Sequence, residues 1–250
     1  MALYFIGLGL NDEKDVSVKG LEIIKKADFI YLEDYTSKLN IPIEILEKFY
    51  NKKITLATRE IVEKKPDAIL NNAKTKTIAF LVAGDPFAAT THIDLYLRAR
   101  KENIKCYVIH NASALTSIAM TGLQLYKFGK TTSIPFGNEN VESPYDVLKE
   151  NRSINAHTLF LLDLRPDENK FMSINDAIRY LLKVELRRNE KVFSEKNLCV
   201  GCVKLGSLDQ EIKSGAAKEL MNYKFKEGLQ CLIVPSKMHF MEEEMIESFR

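Results

Sequence analysis

No stretch of about 18 consecutive apolar residues occurs in the 250-residue chain, so no membrane-spanning helix is expected. The opening run MALYFIGLGL lacks a basic flank and a small-residue cleavage site, and reads as a buried strand rather than a signal peptide. Neither sign of charge dominates. Thirty-six Lys and Arg face 34 Asp and Glu, and a net charge of +2 gives little pull toward nucleic acid or a membrane surface. Tryptophan is absent, which excludes nothing about the fold. Cysteine is scarce: Cys106, Cys199, Cys202 and Cys231 all sit in apolar, strand-like runs. Cys199 and Cys202 form a C-x-x-C, but positions i and i+3 of a strand point to opposite faces. No second such pair or nearby histidine completes a metal site. These cysteines are expected to be buried core thiols, and no metal is expected; free thiols fit a reducing cytosol. The chain also lacks an internal repeat, a low-complexity tract, a Walker A loop and a G-x-S-x-G elbow, which argues against solenoids, nucleotide hydrolases and serine hydrolases.

What is present is an alternation of short apolar runs with amphipathic segments. LYFIGLGL is followed by VSVKGLEIIKKA, FIYLE by IPIEILEKFY, and ITLAT by a helix expected to run through IVEKK and DAILNNAK. TIAFLVAG then precedes HIDLYLRARKEN, and KCYVIH closes the first half. This β-α-β-α order predicts an α/β architecture with a largely parallel sheet. The second half reads as a helix over ALTSIAMTGLQLY, strands at TTSIPF, HTLFLLDL, LCVGCVKLG and LQCLIVP, and a terminal helix in HFMEEEMIESF. Its clearest helix is SINDAIRYLLKVELRRN, with Ser173 as the N-cap. Two α/β domains are expected, 1–110 and 111–250, with a ligand cleft between them.

Four short motifs could carry chemistry. GLGL, from Gly7 to Leu10, follows the first strand, where small residues allow close backbone approach to a ligand. A dinucleotide fingerprint would need a third glycine, and Asn11 and Asp12 stand there instead. GDP, from Gly84 to Pro86, places a carboxylate at the C-terminal end of a parallel strand, where α/β proteins bind ligands; an ordinary Asp-Pro turn explains it equally well. In ATTH, the hydroxyls of Thr90 and Thr91 favour capping or packing over a site role, and His92 has no partner nucleophile. HNASALT opens a helix after a strand, with Ser113 as a candidate N-cap or anion-binding position. The charged runs at Glu63 to Lys65, Arg187 to Lys191 and Glu242 to Glu244 are expected to be solvated faces.

The order of these motifs, continued by GLQLYKFG, LLDL and VKLGS, resembles the diphthine synthase family of the tetrapyrrole-methylase-like superfamily. The resemblance runs from about residue 2 to about residue 247, and FLVAGDPFAATTHIDL and VIHNASALTSIAMTGLQLYKFG are its most specific segments. It implies an S-adenosylmethionine-dependent methyltransferase in a two-domain tetrapyrrole-methylase-like fold. The substrate it implies is translation elongation factor 2 bearing a 3-amino-3-carboxypropyl-histidine, with S-adenosylhomocysteine as the product of the cofactor. The wording of HNAS, GLQLYKFG and GDPF is closer to the form that makes four transfers, ending in a methyl ester, than to the form that makes three. Carried over residue by residue, the implied cofactor contacts are Leu10, Asp85, Ala88, Ser113, Ala114, Leu164, Leu205 and Gln230. The chain departs from the family pattern at Ala88, where a Gly or Val is usual, and at Gln230, where a His is expected. A homodimer in the cytoplasm is implied, with no membrane and no direct nucleic-acid partner.

No side chain is nominated as a general base. Methyl transfer from a sulfonium is chiefly a matter of alignment, and an apolar pocket by itself lowers the pKa of an acceptor amine. Tyr126 and Phe128 could stabilise a methylated cation, although core packing explains them better. The alternatives are a related methylase acting on a tetrapyrrole or on RNA, and a non-catalytic cofactor-binding regulator of translation.

Overall fold

The structure is a computed structural model that describes residues 1–39, 41–165, 168 and 170–250. It resolves into two compact units, Met1–Leu115 and Thr116–Arg250. The division falls a little beyond the expected 110/111 boundary, because the segment after His110 is bonded back into the first unit through Asp85, Gly7 and Asp15.

The first unit strings together β1 (Ala2–Gly7), α1 (Val18–Lys26), β2 (Phe29–Glu33), α2 (Ile43–Tyr50), β3 (Thr55–Ala57), α3 (Asp67–Thr75), β4 (Thr77–Val82), α4 (Ile93–Lys101), β5 (Cys106–Ile109) and the short α5 (Ala114–Ser117). The five strands form one parallel sheet in the order β3-β2-β4-β1-β5. Helices cover both faces, so the central strands read as unbroken apolar runs. Leu3, Phe5, Ile78, Phe80 and Val82 pack with α3 and α4 on one face, while Ile6, Ala79 and Leu81 pack with α1 and α2 on the other. The single helix expected after β3 is two pieces. A wide π-type turn spans Glu60–Lys64, and α3 begins only after Pro66. Proline has no N–H to continue the ladder and disfavours helical backbone at the residue before it.

The second unit contains β6 (Thr132–Ile134), α6 (Ser143–Ser153), β7 (Thr158–Leu162), β8 (Leu164–Arg165), β9 (Lys170–Phe171), α7 (Ile174–Arg188), β10 (Leu198–Val203), β11 (Glu211–Ala216), α8 (Ala217–Leu220), β12 (Gln230–Val234) and α9 (Phe240–Glu247). Its main sheet runs β11-β10-β12-β7-β6, with β6 and β7 the parallel pair and the other neighbours antiparallel. Helices α6 and α7 bury Tyr145, Leu148, Ile178 and Leu181 in its core. Ser173 caps α7, accepting from Asp176 N at 3.1 Å. The long helix expected over ALTSIAMTGLQLY is instead α5 followed by two 3₁₀ turns, Ile118–Thr121 and Leu125–Lys127. Gly122 breaks it with a φ of 83° and lies against Met245, which leaves no room for a side chain.

Cys199 lies in the core cluster of the second unit, and Cys202 faces Cys231 across the β10–β12 pair. Burial pushes the Cys199 thiol up to about 12. The Cys231 contact, together with burial, holds Cys202 well above the ordinary thiol range. Both are inert packing residues. Among the described residues no group of three or more His, Cys, Asp or Glu could hold a metal ion, and no helix is long and apolar enough to cross a membrane.

Candidate active site

Three loops meet at the C-terminal edge of the first unit's sheet. The loop after β1 and the loop after β4 are joined as a two-residue bridge: Gly9 N donates to Gly84 O at 3.3 Å, and Gly84 N to Gly9 O at 2.6 Å. Both glycines take positive φ, 78° and 83°, which a side chain would strain. Gly7 shows why the approach must be close: a Cβ there would lie 2.6 Å from Gly84 O and 2.8 Å from Asn111 Cβ.

The third loop, after β5, is tied in by Asp85 and Asn111. Asp85 Oδ1 accepts from Phe87 N at 3.0 Å, and Oδ2 accepts from Asn111 N at 3.1 Å and from the His110 ring at 2.8 Å. Asn111 Nδ2 donates to Gly7 O and to Asp15 O, each at 3.0 Å, while its Oδ1 accepts from Ala112 N. Asp15 in turn receives Leu10 N at 3.2 Å and Asn11 N at 2.8 Å on its Oδ2. Asp15 therefore shapes the loop after β1 and Asp85 the loop after β4, and the Asn111 amide ties the loop after β5 to the loop after β1. The sequence reading missed Asp15 and Asn111. The Asn of HNAS was visible, but which of its neighbours it bonds is set by strand order.

Of the residues singled out in the sequence, Leu10, Asp85, Ala88 and Ser113 lie on these loops, and Ala114 opens α5 where the third loop ends. Ala88 is half-buried, with its N–H directed at Asp85 O at 3.4 Å. Ser113 is buried directly before α5. A Cβ at Gly84 would stand in ordinary contact with Ala112 O and Ser113 at 3.9 Å, so it is the φ of 83° that calls for glycine there. Small residues, closely approaching loops and an anchored carboxylate at this edge suit a polar ligand with an apolar body.

In the second unit, Leu164, Leu205 and Gln230 gather at one end of the sheet. Val203 pairs with Gln230, Cys231 pairs with Leu161, and Lys204 N donates to Leu229 O at 2.9 Å. The Gln230 side chain is committed within the protein: Oε1 accepts from Ile174 N at the start of α7 at 2.8 Å, and Nε2 donates to Lys226 O at 3.1 Å.

His92 is fully buried. Its Nδ1–H donates to Pro86 O at 3.0 Å, Phe80 stacks edge-on at 5.3 Å, and burial pulls its pKa below the usual histidine range. It packs the strand-to-helix turn. Tyr126 is exposed, and Phe128 packs edge-on against buried His157.

Two charged groups defy the expectation of solvated faces. Glu242, in the EEE run, is buried: its carboxylate accepts from Gln124 N at 2.9 Å, His239 N at 2.7 Å, His157 Nε2 at 3.2 Å and Lys127 Nζ. Burial alone would raise its pKa, but these donors outweigh it and hold the group at about 2. His157 Nδ1 accepts from Ser236 N at 2.9 Å, so the neutral ring carries its proton on Nε2. The signal for Glu242 lay in its spacing from His239, an N-terminal capping box on α9. Arg188 is likewise held among Asp146, Glu142 and Glu190.

Glu33, the last residue of β2, is also buried, with a pKa raised by burial to about 7. Its carboxyl accepts from Tyr35 N at 2.7 Å, Thr36 Oγ1 at 2.9 Å and Thr36 N. Between its ordinary 4.5 and about 7 the folded protein keeps a proton that the unfolded chain releases. The stability Glu33 contributes is therefore full below pH 4.5 and is lost as pH rises toward 7, by about 3 kcal/mol. Denaturant unfolding of Glu33→Gln, compared with wild type from pH 5 to 8, is expected to lose this fall. Parallel pH profiles would show that the carboxyl does not titrate in that window.

The sequence profile of the tetrapyrrole (corrin/porphyrin) methylases matches residues 2–221, which places the chain among the S-adenosylmethionine-dependent methyltransferases of that family. Similar proteins include a diphthine methyl ester synthase of Dictyostelium discoideum, 46% identical over 100% of this chain and 98% of that one. A diphthine synthase of Methanococcus maripaludis is 45% identical over 98% of this chain and 97% of its own. A crystal structure of diphthine synthase superposes with a TM-score of 0.92 at 37% identity, covering 100% of this chain and 96% of that one. The chain belongs to the diphthine synthases.

Proposed function

We propose that this chain methylates the 3-amino-3-carboxypropyl-histidine of translation elongation factor 2 in diphthamide biosynthesis, through four transfers ending in the methyl ester. The observation that carries the reading is the convergence of the Gly7 to Leu10, Gly84 to Ala88 and His110 to Ala114 loops on one edge of a parallel sheet. Full-length identity to diphthine synthases from a eukaryote and an archaeon supports it.

S-Adenosylmethionine supplies a methyl group already activated on a positively charged sulfur. Leu10, Asp85, Ala88, Ser113, Ala114, Leu164, Leu205 and Gln230 are the residues that would hold it. Gln230 would contribute backbone atoms, because its side chain is engaged by Ile174 and Lys226. A histidine at that position is then no requirement, which weakens the reading of a non-catalytic binder. No general base is assigned. The chain's contribution is to align the acceptor nitrogen with the methyl group, and the ammonium gives up its proton to solvent before attack. The enzyme would work as a cytoplasmic homodimer and release S-adenosylhomocysteine.

Transfer of labelled methyl groups tests this directly. Label is expected on elongation factor 2 carrying the unmethylated side chain, and none on the same protein with the target histidine replaced. Label appearing equally on both would move the acceptor elsewhere.

A further inference from the structure

A cavity of about 290 Å³ opens on the other side of the same sheet edge. Its floor is the C-terminal end of β2 and β3, with Leu32, Glu33 and Leu56, and Ala83 at the end of β4. Its walls come from Ser37, Lys38, Leu39, Ile41 and the start of α2. Ala83 directly precedes the Gly84-Asp85 turn, so the cavity adjoins the candidate cofactor loops within one unit.

The lining has an unusual mixture. Leu39, Ile41, Ile43 and Leu46 make it apolar, yet Glu33, Asp34 and Glu44 line it as well, with Lys38 and Ser37 beside them. Asp34 lies close enough to Glu33 to help raise its pKa. Apolar walls with several carboxylates suit a cation that carries methyl groups, because such a cation donates no hydrogen bonds and is stabilised by charge and contact alone.

We propose that this cavity, bounded by Leu32, Asp34, Lys38, Ile43, Leu56 and Ala83, receives the aminocarboxypropyl arm of the acceptor and holds it as its nitrogen is methylated. The inference rests on the proposed function. In each nitrogen transfer the amine lone pair forms the new N–C bond while the C–S bond pair passes to sulfur, leaving a neutral thioether. The incoming ammonium releases its proton to solvent before each attack. After the third transfer nitrogen holds a permanent positive charge that no proton loss can remove. Asp34 and Glu44 balance that charge, the leucine and isoleucine walls accommodate the added methyls, and Lys38 with Ser37 faces the arm's carboxylate. The arm is a zwitterion, and the lining offers both signs.

The test uses the full chain with elongation factor 2 arrested at the aminocarboxypropyl-histidine stage. Ile43→Trp fills the cavity, Asp34→Asn removes a counter-charge, and Leu56→Trp fills it from its more exposed rim should Ile43→Trp fail to fold. S-Adenosylmethionine affinity, read by calorimetry, is expected to stay within about twofold of wild type, because no proposed cofactor contact is altered. The KM for the protein substrate is expected to rise by about tenfold or more. Mass spectra are expected to show mono- and dimethylated arms accumulating. Wild-type KM and complete methylation in Asp34→Asn and a folded tryptophan variant would overturn the assignment while leaving the proposed function intact. Wild-type enzyme that transfers no methyl group to this substrate would overturn both.

Discussion

Replacing Asp85 with asparagine is expected to raise the dissociation constant for S-adenosylmethionine by about 10- to 100-fold, the range set by loss of a charge-assisted hydrogen bond. The carboxylate accepts from two backbone N–H groups and the His110 ring at once, and so fixes the loops after β4 and β5 against each other. An asparagine amide presents a donor on one side, which opposes either Phe87 N or Asn111 N. The core strands beneath are packed independently of this contact, so the variant is expected to fold and to melt close to wild type. His110→Ala serves as the comparison. It removes the exposed ring and leaves both backbone bonds, and its effect on affinity is expected to be several-fold smaller. Calorimetric titration of the three proteins decides. Unchanged affinity in Asp85→Asn would remove Asp85 from the site.

The second large effect falls on stability. Glu242→Gln is expected to lower the unfolding free energy by about 3–5 kcal/mol, the usual consequence of breaking a buried charge pair from one side. Lys127, three-quarters buried, loses its counter-ion. The amide can satisfy only part of the set formed by Gln124 N, His239 N, His157 Nε2–H and Lys127. The same network sets an acid dependence. With the carboxyl held at about 2, its contribution is fully present above pH 4.5 and is lost as pH falls toward 2, a change of about 3 kcal/mol. Urea unfolding at neutral pH and at pH 3 checks both parts. A variant as stable as wild type at pH 7 would mean that the network makes no net contribution.

The residues of the candidate site were legible because each of the three loop motifs follows a strongly apolar run. GLGL, GDP and HNAS follow β1, β4 and β5, and a parallel sheet brings the C-terminal ends of its strands to one edge. Ser173 was legible for a local reason, since a serine three residues before an acid signals a helix start. The failures were equally physical. β11, whose sequence is EIKSGA, is a polar edge strand with no apolar alternation to mark it. The helix expected after HNAS was broken by Gly122, whose conformation is set by contact with Met245 far along the chain. Glu33 and Glu242 look like surface acids because burial is a property of the neighbours that tertiary structure supplies. That the Gln230 side chain accepts from Ile174 N, 56 residues earlier in the chain, is likewise a product of tertiary structure.

The most direct test of the central claim is the mass of the modified peptide. Purified protein, S-adenosylmethionine and elongation factor 2 arrested at the aminocarboxypropyl-histidine stage are incubated together, and the histidine-containing fragment is read by mass spectrometry. The account predicts a gain of four methyl groups on that residue, three resistant to mild base and one released by it as an ester. A fragment of unchanged mass, from protein shown to bind S-adenosylmethionine, would contradict it.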